Sequence, residues 1–417
     1  MIITPSRLSG TLGAITSKSF AHRLLICAAL AEGPTRIRLN GLSDDINATV
    51  RCLKAMGCLI ETETGALRVG PPGKPPPSSV VLDCGESGST ARFLLPLAAQ
   101  LFDSFTLTGS GRLPGRPFAP LCKALADAGC SFDGDTLPLI GSGKIHAGDF
   151  SIEGDISSQF ISGLLFVLPL LDGDSGVTLT TPLQSAAYVD MTIEVLALFG
   201  IEIERRERGF RVKGNQRYIS PGEARAEGDW SNAAFFLCMG ALGGEITMCG
   251  LSMQSTQGDR EVMDILRRFG ASTNAAANGC TVTAEALRAI NIDAAQIPDL
   301  VPVLSVVASV ASGETKIFNA QRLRIKESDR IQSTFDLLSS IGADVRITED
   351  GLAIRGKERL HGGTVDGSGD HRIVMAAATA ACVCEAPVVI RGCEAVNKSY
   401  PTFFEDYRAM GGVANVV

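Results

Sequence analysis

Cations at helix starts are the first feature of this sequence that folding alone does not demand. Six clusters of small polar residues open apolar segments: Ser17-Lys18-Ser19, Glu86-Ser87-Gly88-Ser89, Ser157-Ser158-Gln159, Trp230-Ser231-Asn232, Pro298-Asp299 and Gly369-Asp370-His371-Arg372. Serine, asparagine and aspartate there are ordinary helix caps. Lys18, Arg23 and Arg372 are not, because the helix dipole disfavours a cation in the first turn by a few tenths to about 1 kcal/mol. They suit an anion shared between backbone N–H groups and a basic side chain. A second set follows the β-rich runs: Arg116 in RLPGRP, Lys326 and Arg330 in RIKESDR, and Lys398 in AVNKSYP. On a chain of net charge −7 these local cations point to a site for more than one phosphate or carboxylate. Asp299, Glu327 and His371 stand beside them and are the acid/base candidates.

A repeat must position these residues. The segments LKAMGCLIE, LADAGCSFD, LALFGIEIE, LRRFGASTN, LSSIGADVR and YRAMGGVAN each read as a helix end, a glycine and the start of a strand. Their glycines, Gly57, Gly129, Gly200, Gly270, Gly342 and Gly412, recur at about seventy-residue intervals. Before each glycine lies an apolar segment of the kind that forms a buried helix, such as AHRLLICAALAEG or LVPVLSVVASVASG. An amphipathic helix follows, starting near Asp45, Pro117, Asp190, Asp259, Asp329 or Pro401, and runs such as TRIRLNGL and GVTLTTP separate the two as strands. The expected fold is α/β, with two lobes each of three repeated α/β units that have buried helices and covering sheets. The first lobe spans residues 14–226, and the second takes 1–13 and 227–417, with the crossover near Arg225 to Trp230. GPPGKPPPSS, Gly70 to Ser79, keeps the repeat phase and is read as a loop within the first lobe.

Composition removes several classes of function. Twelve cysteines without a C-x-x-C pair, and His22, His146, His361 and His371 without ligand spacing, predict a reduced, cytoplasmic protein with no metal. The apolar runs are shorter than a membrane span and the N-terminus lacks a leader pattern, so no membrane or targeting segment is expected. An acidic chain with no long basic run is unsuited to nucleic acid. A DNA-encircling clamp would line its inner helices with Lys and Arg, whereas these are apolar. No phosphate-binding G-x-x-x-x-G-K-[ST] loop or dinucleotide fingerprint is present.

SKSFAHRLLICAALAEG, DCGESGSTARFL, GRLPGRP, EGDISSQFISGLL, RIKESDRI, GDHRIVMA and NKSYPTFFE, in this order along essentially the whole chain, resemble the 5-enolpyruvylshikimate-3-phosphate synthases. The resemblance implies an inside-out α/β barrel type of fold, enolpyruvyl transferase-like, with the active site in the cleft between the lobes. It implies transfer of the enolpyruvyl group of phosphoenolpyruvate to the 5-hydroxyl of shikimate-3-phosphate in aromatic amino-acid biosynthesis, by addition and elimination through a tetrahedral intermediate. It also implies a cytoplasmic monomer without cofactor, acting on two small molecules, in a family targeted by glyphosate. Carried over residue by residue, it assigns shikimate-3-phosphate to Ser19, Arg23, Ser157, Ser158, Gln159, Ser185, Tyr188, Asp299 and Lys326. Phosphoenolpyruvate goes to Lys18, Gly88, Arg116, Gln159, Arg330, Arg372 and Lys398. Asp299 is the expected base and Glu327 the acid, with Lys18 stabilising charge. Departures from the family pattern are Thr16 before S-K-S, Glu86 where many members have Asn, and Arg322 in place of a frequent Asn. The related enzymes that use UDP-N-acetylglucosamine usually carry a reactive cysteine in the loop that here, Gly109 to Pro117, has none.

Overall fold

Apolar sequence on every side leaves a helix no stable place but an interior, and that rule organises the molecule. The computed structural model describes residues 1–73 and 77–416. It divides into two compact units, Thr16–Ala226 and Met1–Ile15 with Glu227–Val417. The first unit holds α1 (Lys18–Leu30), α2 (Asp44–Ala55), α3 (Gly88–Leu101), α4 (Ala119–Asp127), α5 (Ser158–Val167) and α6 (Ala186–Leu198). The second holds α7 (Trp230–Ala241), α8 (Val262–Phe269), α9 (Val301–Ala308), α10 (Arg330–Ser340), α11 (His371–Ala380) and α12 (Phe403–Ala409). The odd-numbered helices are the apolar ones; α7, α9 and α11 are buried at every residue. They build a separate core in each unit, around Leu25, Leu95 and Leu164 in one and Phe236, Val306 and Ala377 in the other.

Among the described residues there are six four-stranded sheets, three in each unit, with one shared pattern: a parallel pair followed by two antiparallel strands. In one of them Ser79–Asp83 runs parallel to Ser104–Thr108, with α3 as the crossover between them. Ser104–Thr108 then pairs antiparallel with Leu139–Gly143, and that strand with Cys130–Phe132. Alternate residues Val80 and Leu82 are buried and their neighbours exposed, so one face meets the helices and the other faces solvent.

Three sheets are completed from distant sequence. Glu223–Arg225, the last strand of the first unit, lies parallel to Thr35–Arg38. In the second unit Ser9–Gly13 lies parallel to Glu245–Cys249, and Ile2–Thr4 sits between Val388–Arg391 and Val413–Asn415. The N-terminal arm thereby fills places that would otherwise be open edges.

Three local expectations change. The left-handed helix cap of the sixth repeat is Gly411 at φ +92°, not Gly412. Gly412 is a glycine for another reason: a Cβ there would lie 2.2 Å from Tyr407 Cε1. The third amphipathic helix, α6, begins at Ala186, so Asp190 is in its second turn; Ser185 precedes it at φ +54°. Gly70 to Pro72 end the strand Ala66–Pro72 and are not loop, because they pair with Leu59 and Cys58 across a register shift. Residues 74–76 of that proline-rich segment lie outside the described residues.

Candidate functional site

In the first unit the three inner helices each begin on a serine. The side chains of Ser17, Ser87 and Ser157 accept backbone N–H bonds from Phe20, Thr90 and Gln159, so the starts of α1, α3 and α5 are capped alike. Side chains then tie these starts together. Lys18 Nζ donates to Asp45 Oδ2 in the first turn of α2 at 2.8 Å. Thr90 Oγ1 of α3 is 3.4 Å from the Asp45 carbonyl. The Arg92 guanidinium donates to Gln159 Oε1 at 2.7 Å, and Gln159 Nε2 donates to Ser89 Oγ at 2.9 Å. Arg116 packs on the first residue of α3: a Cβ on Gly88 would lie 2.7 Å from its NH1 atom. Lys18, Gly88, Arg116 and Gln159 are thus all linked to the first turn of α3, directly or through one side chain.

A second group gathers between α1 and α6, where Arg23 lies in the second turn of α1 and not in the first turn expected of it. Arg23 is 2% exposed and donates to Thr192 Oγ1 at 2.8 Å, to the Ser19 carbonyl at 2.7 Å and to the Tyr188 carbonyl at 2.8 Å. Ser162 of α5 joins the same Thr192 hydroxyl at 2.7 Å. Burial pushes the Arg23 guanidinium down to about 10, which still leaves it charged at neutral pH. Ser185 is buried before α6, while Ser157 and Ser158 are buried at the start of α5.

In the second unit the expected residues converge on one guanidinium. Arg330, the first residue of α10, is 1% exposed and donates to Asp370 at 2.7 and 3.2 Å, to Asp299 at 2.7 Å and to Glu327 at 2.8 Å. Asp299 also meets Lys326 at 3.7 Å and Arg372 at 3.4 Å. Burial pushes the Asp299 carboxyl up, but the charges of Lys326, Arg330 and Arg372 outweigh it and hold the group well below the carboxylate range. Burial pushes Lys326 down to about 8. Arg372 also reaches Asn232 Oδ1 at 3.4 Å, and Lys398 Nζ donates to the Gly369 carbonyl at 2.5 Å. His371 is buried at the first residue of α11. Among the described residues no group of three His, Cys, Asp or Glu side chains is placed to hold a metal ion, and no helix is long and apolar enough to cross a membrane.

Several residues of these networks are not among the expected site residues, although Asp45 and Asp259 are expected at helix starts and Asp370 as a cap. Arg92, Asp45, Asp259 and Asp370 are the main ones. Arg92 carries the clearest signal, a cation inside an apolar helix that has to be paired. It is 3% exposed, with its guanidinium over Phe118 and Phe160 at 5.4 and 5.2 Å. Asp259 bonds to the Ser231 hydroxyl. Burial, then the charge of Asp299, push its carboxyl up to about 7. Glu86, the departure noted above, packs against Gly111: a Cβ there would lie 2.2 Å from Glu86 Oε2.

Comparison with known proteins adds an independent line. The family model of EPSP synthase (3-phosphoshikimate 1-carboxyvinyltransferase) matches residues 2–407. A protein of Clostridium novyi (strain NT) named 3-phosphoshikimate 1-carboxyvinyltransferase is 43% identical over 423 residues, covering 99% of this chain and 97% of the relative. One of the same name from Clostridium kluyveri is 44% identical over 413 residues, covering 98% and 97%. A solved EPSP synthase from Acinetobacter baumannii superposes with a TM-score of 0.83 at 26% identity, covering 100% of this chain and 99% of that one. The enolpyruvyl transferase NikO from Streptomyces tendae shares the fold, with a TM-score of 0.80 at 16% identity over 99% and 97% of the two chains.

Proposed function

Because this chain belongs to the EPSP synthase family, we propose that its cation-rich helix starts divide two anionic substrates between them. The activity is that of a 3-phosphoshikimate 1-carboxyvinyltransferase: the enolpyruvyl group of phosphoenolpyruvate moves to shikimate-3-phosphate and phosphate leaves. The group around Arg23, with Ser19, Ser157, Ser158, Gln159, Ser185 and Tyr188, takes the shikimate phosphate and ring, joined by Asp299 and Lys326. The group around the first turn of α3, with Lys18, Gly88, Arg116 and Gln159, takes phosphoenolpyruvate together with Arg330, Arg372 and Lys398. Substrate phosphates and carboxylates repel one another, and only such a density of cations makes their approach tolerable.

The chemistry needs a base for the 5-hydroxyl proton and an acid for the methylene carbon. The 5-oxygen then bonds to the central carbon of phosphoenolpyruvate while the methylene becomes a methyl group. In the second step the carbon–phosphate oxygen bond breaks and the methyl group gives back a proton, so the roles reverse. Asp299 is the proposed base and Glu327 the acid, with Lys18 offsetting charge on the intermediate. One observation carries this reading: Arg330 and Arg372 spend N–H bonds on Asp299, and Arg330 on Glu327. An incoming carboxylate or phosphate would compete for those N–H groups. That competition weakens the cations' hold on Asp299, raises its proton affinity and frees both carboxyl groups for proton transfer.

The same reading makes the protein a cytoplasmic monomer that works on its two small-molecule substrates without nucleic acid, membrane or cofactor. Its test is phosphate release with shikimate-3-phosphate and phosphoenolpyruvate, beside UDP-N-acetylglucosamine as acceptor. Release with shikimate-3-phosphate alone is the expected result; release with the sugar nucleotide alone overturns it.

A further inference from the structure

A row of buried polar side chains runs from α1 through α2 to the start of α3. His22 Nδ1 lies 2.7 Å from Thr49 Oγ1, and Thr49 Oγ1 lies 2.7 Å from Thr90 Oγ1. Thr90 Oγ1 donates to Ser87 Oγ at 2.7 Å. His22, Thr49 and Thr90 are 0% exposed and Ser87 is 1% exposed, so water does not complete these bonds.

Proton counting orders the row. A hydroxyl has one hydrogen to give. Thr90 gives its hydrogen to Ser87, its other acceptor, the Asp45 carbonyl, being farther away at 3.4 Å. In the 2.7 Å contact with Thr49 it must therefore accept. Thr49 has then spent its own hydrogen and must accept from His22, which puts the imidazole proton on Nδ1. His22 Nε2 has no hydrogen-bond partner. As a bare lone pair it is the less costly kind of buried orphan, since unpaired N–H groups are the rarer ones. Burial, reinforced by the charges of Lys18 and Arg23, pushes the His22 imidazole well below its ordinary value, so the ring stays neutral and supplies one proton only. At the far end, Ser87 Oγ accepts both the Thr90 hydroxyl and the Thr90 backbone N–H, the latter at 3.2 Å. Both lone pairs are used, and its own proton has to point elsewhere.

We propose that His22, Thr49 and Thr90 are positioning residues, a one-way chain of hydrogen bonds that fixes the Ser87 cap at the start of α3 and points the positive end of its dipoles at the turn beside Gly88 that takes phosphoenolpyruvate. The proposal rests on the assignment of phosphoenolpyruvate to that turn. With the opposite imidazole tautomer every bond reverses: Ser87 donates inward, and the dipoles of the row oppose an anion at that turn.

Two measurements test the chain separately from that assignment. Long-range proton–nitrogen spectra of the full chain labelled at its four histidines give the tautomer, with His22 identified by its absence in His22→Asn. A protonated Nδ1 and bare Nε2 are expected, unchanged between about pH 6 and 8. Thr90→Val, which keeps the shape and removes the hydroxyl, should raise KM for phosphoenolpyruvate about three- to tenfold while KM for shikimate-3-phosphate moves less than about twofold. Thr90→Ser should restore it. Thr49→Val cuts the row one bond earlier, away from Gly88, and should show the same split if Thr90→Val folds poorly. An Nε2-protonated ring, or an unchanged KM for phosphoenolpyruvate in both valine variants, overturns the chain. The expected tautomer with a rise confined to shikimate-3-phosphate overturns the assignment and leaves the chain standing.

Discussion

At the scale of single residues, the second unit shows carboxylates and cations each holding the other out of reach. Glu327 accepts from Arg330 at 2.8 Å, so its part in proton transfer depends on what substrate does to that pair. Glu327→Gln keeps the shape and cannot donate the acid proton. Turnover should fall at least about 100-fold with substrate binding largely retained, and deuterium uptake into the phosphoenolpyruvate methylene should fall in parallel. Asp259 is a different case, a buried carboxyl raised to about 7 by burial and by Asp299. Its folded pKa lies above the unfolded one, so the folded state binds the extra proton and stability declines as pH rises from about 4 to 7. Above that window the whole cost is present. Asp259→Asn removes it and should gain about 1 kcal/mol or more at pH 8 and little at pH 4, read by denaturant titration at both. Equal changes at the two pH values would mean that the group is not protonated in the folded protein.

Among the elements, the decisive joints are between helix starts. Arg92 joins α3 to α5 through Gln159 and reaches the Pro117 carbonyl at 3.2 Å, one residue beyond Arg116. A single side chain therefore orients two groups assigned to phosphoenolpyruvate. Arg92→Met retains bulk between Phe118 and Phe160 and removes the donors. KM for phosphoenolpyruvate should rise about tenfold or more, and by more than KM for shikimate-3-phosphate, which Gln159 alone of the two groups also serves, since a charge-assisted hydrogen bond contributes roughly 1.5 to 3 kcal/mol. Steady-state kinetics with each substrate varied in turn decide it, and equal rises would place Arg92 in general packing instead.

For the whole molecule, the chain starts in one unit, builds the other, and returns. Ile2–Thr4 is an interior strand of its sheet, paired on both sides, so it cannot be trimmed as a frayed end. Deleting residues 2–13 removes that strand and the parallel partner of Glu245–Cys249, and opens two sheets of the second unit. The truncated protein should lose the cooperative unfolding of the second unit while the first unit still melts, giving a reduced calorimetric enthalpy. A single transition with the full enthalpy would show that the arm contributes little.

The sixfold phase of this fold is written locally, which is why it can be read without coordinates. A glycine cap needs only its own positive φ, an apolar helix only its own composition, and a serine cap only an N–H two or three residues on. The error at Gly412 belongs to the same class: two adjacent glycines satisfy one local rule, and only the Tyr407 ring decides which of them caps the helix. Clusters of basic residues beside acid/base candidates could likewise be named from the sequence. Their partners could not. Arg330 meets Asp299 and Asp370 because three helix starts from two successive repeats pack together, and nothing near Arg330 in the chain, apart from Glu327, foretells those carboxylates. The direction of the His22 row is still further from the sequence, because it depends on protons shared among side chains of three helices. Sequence decided which groups exist and at what phase; the packing of the repeats decided which of them pair, and pairing sets the charge and proton that each can offer.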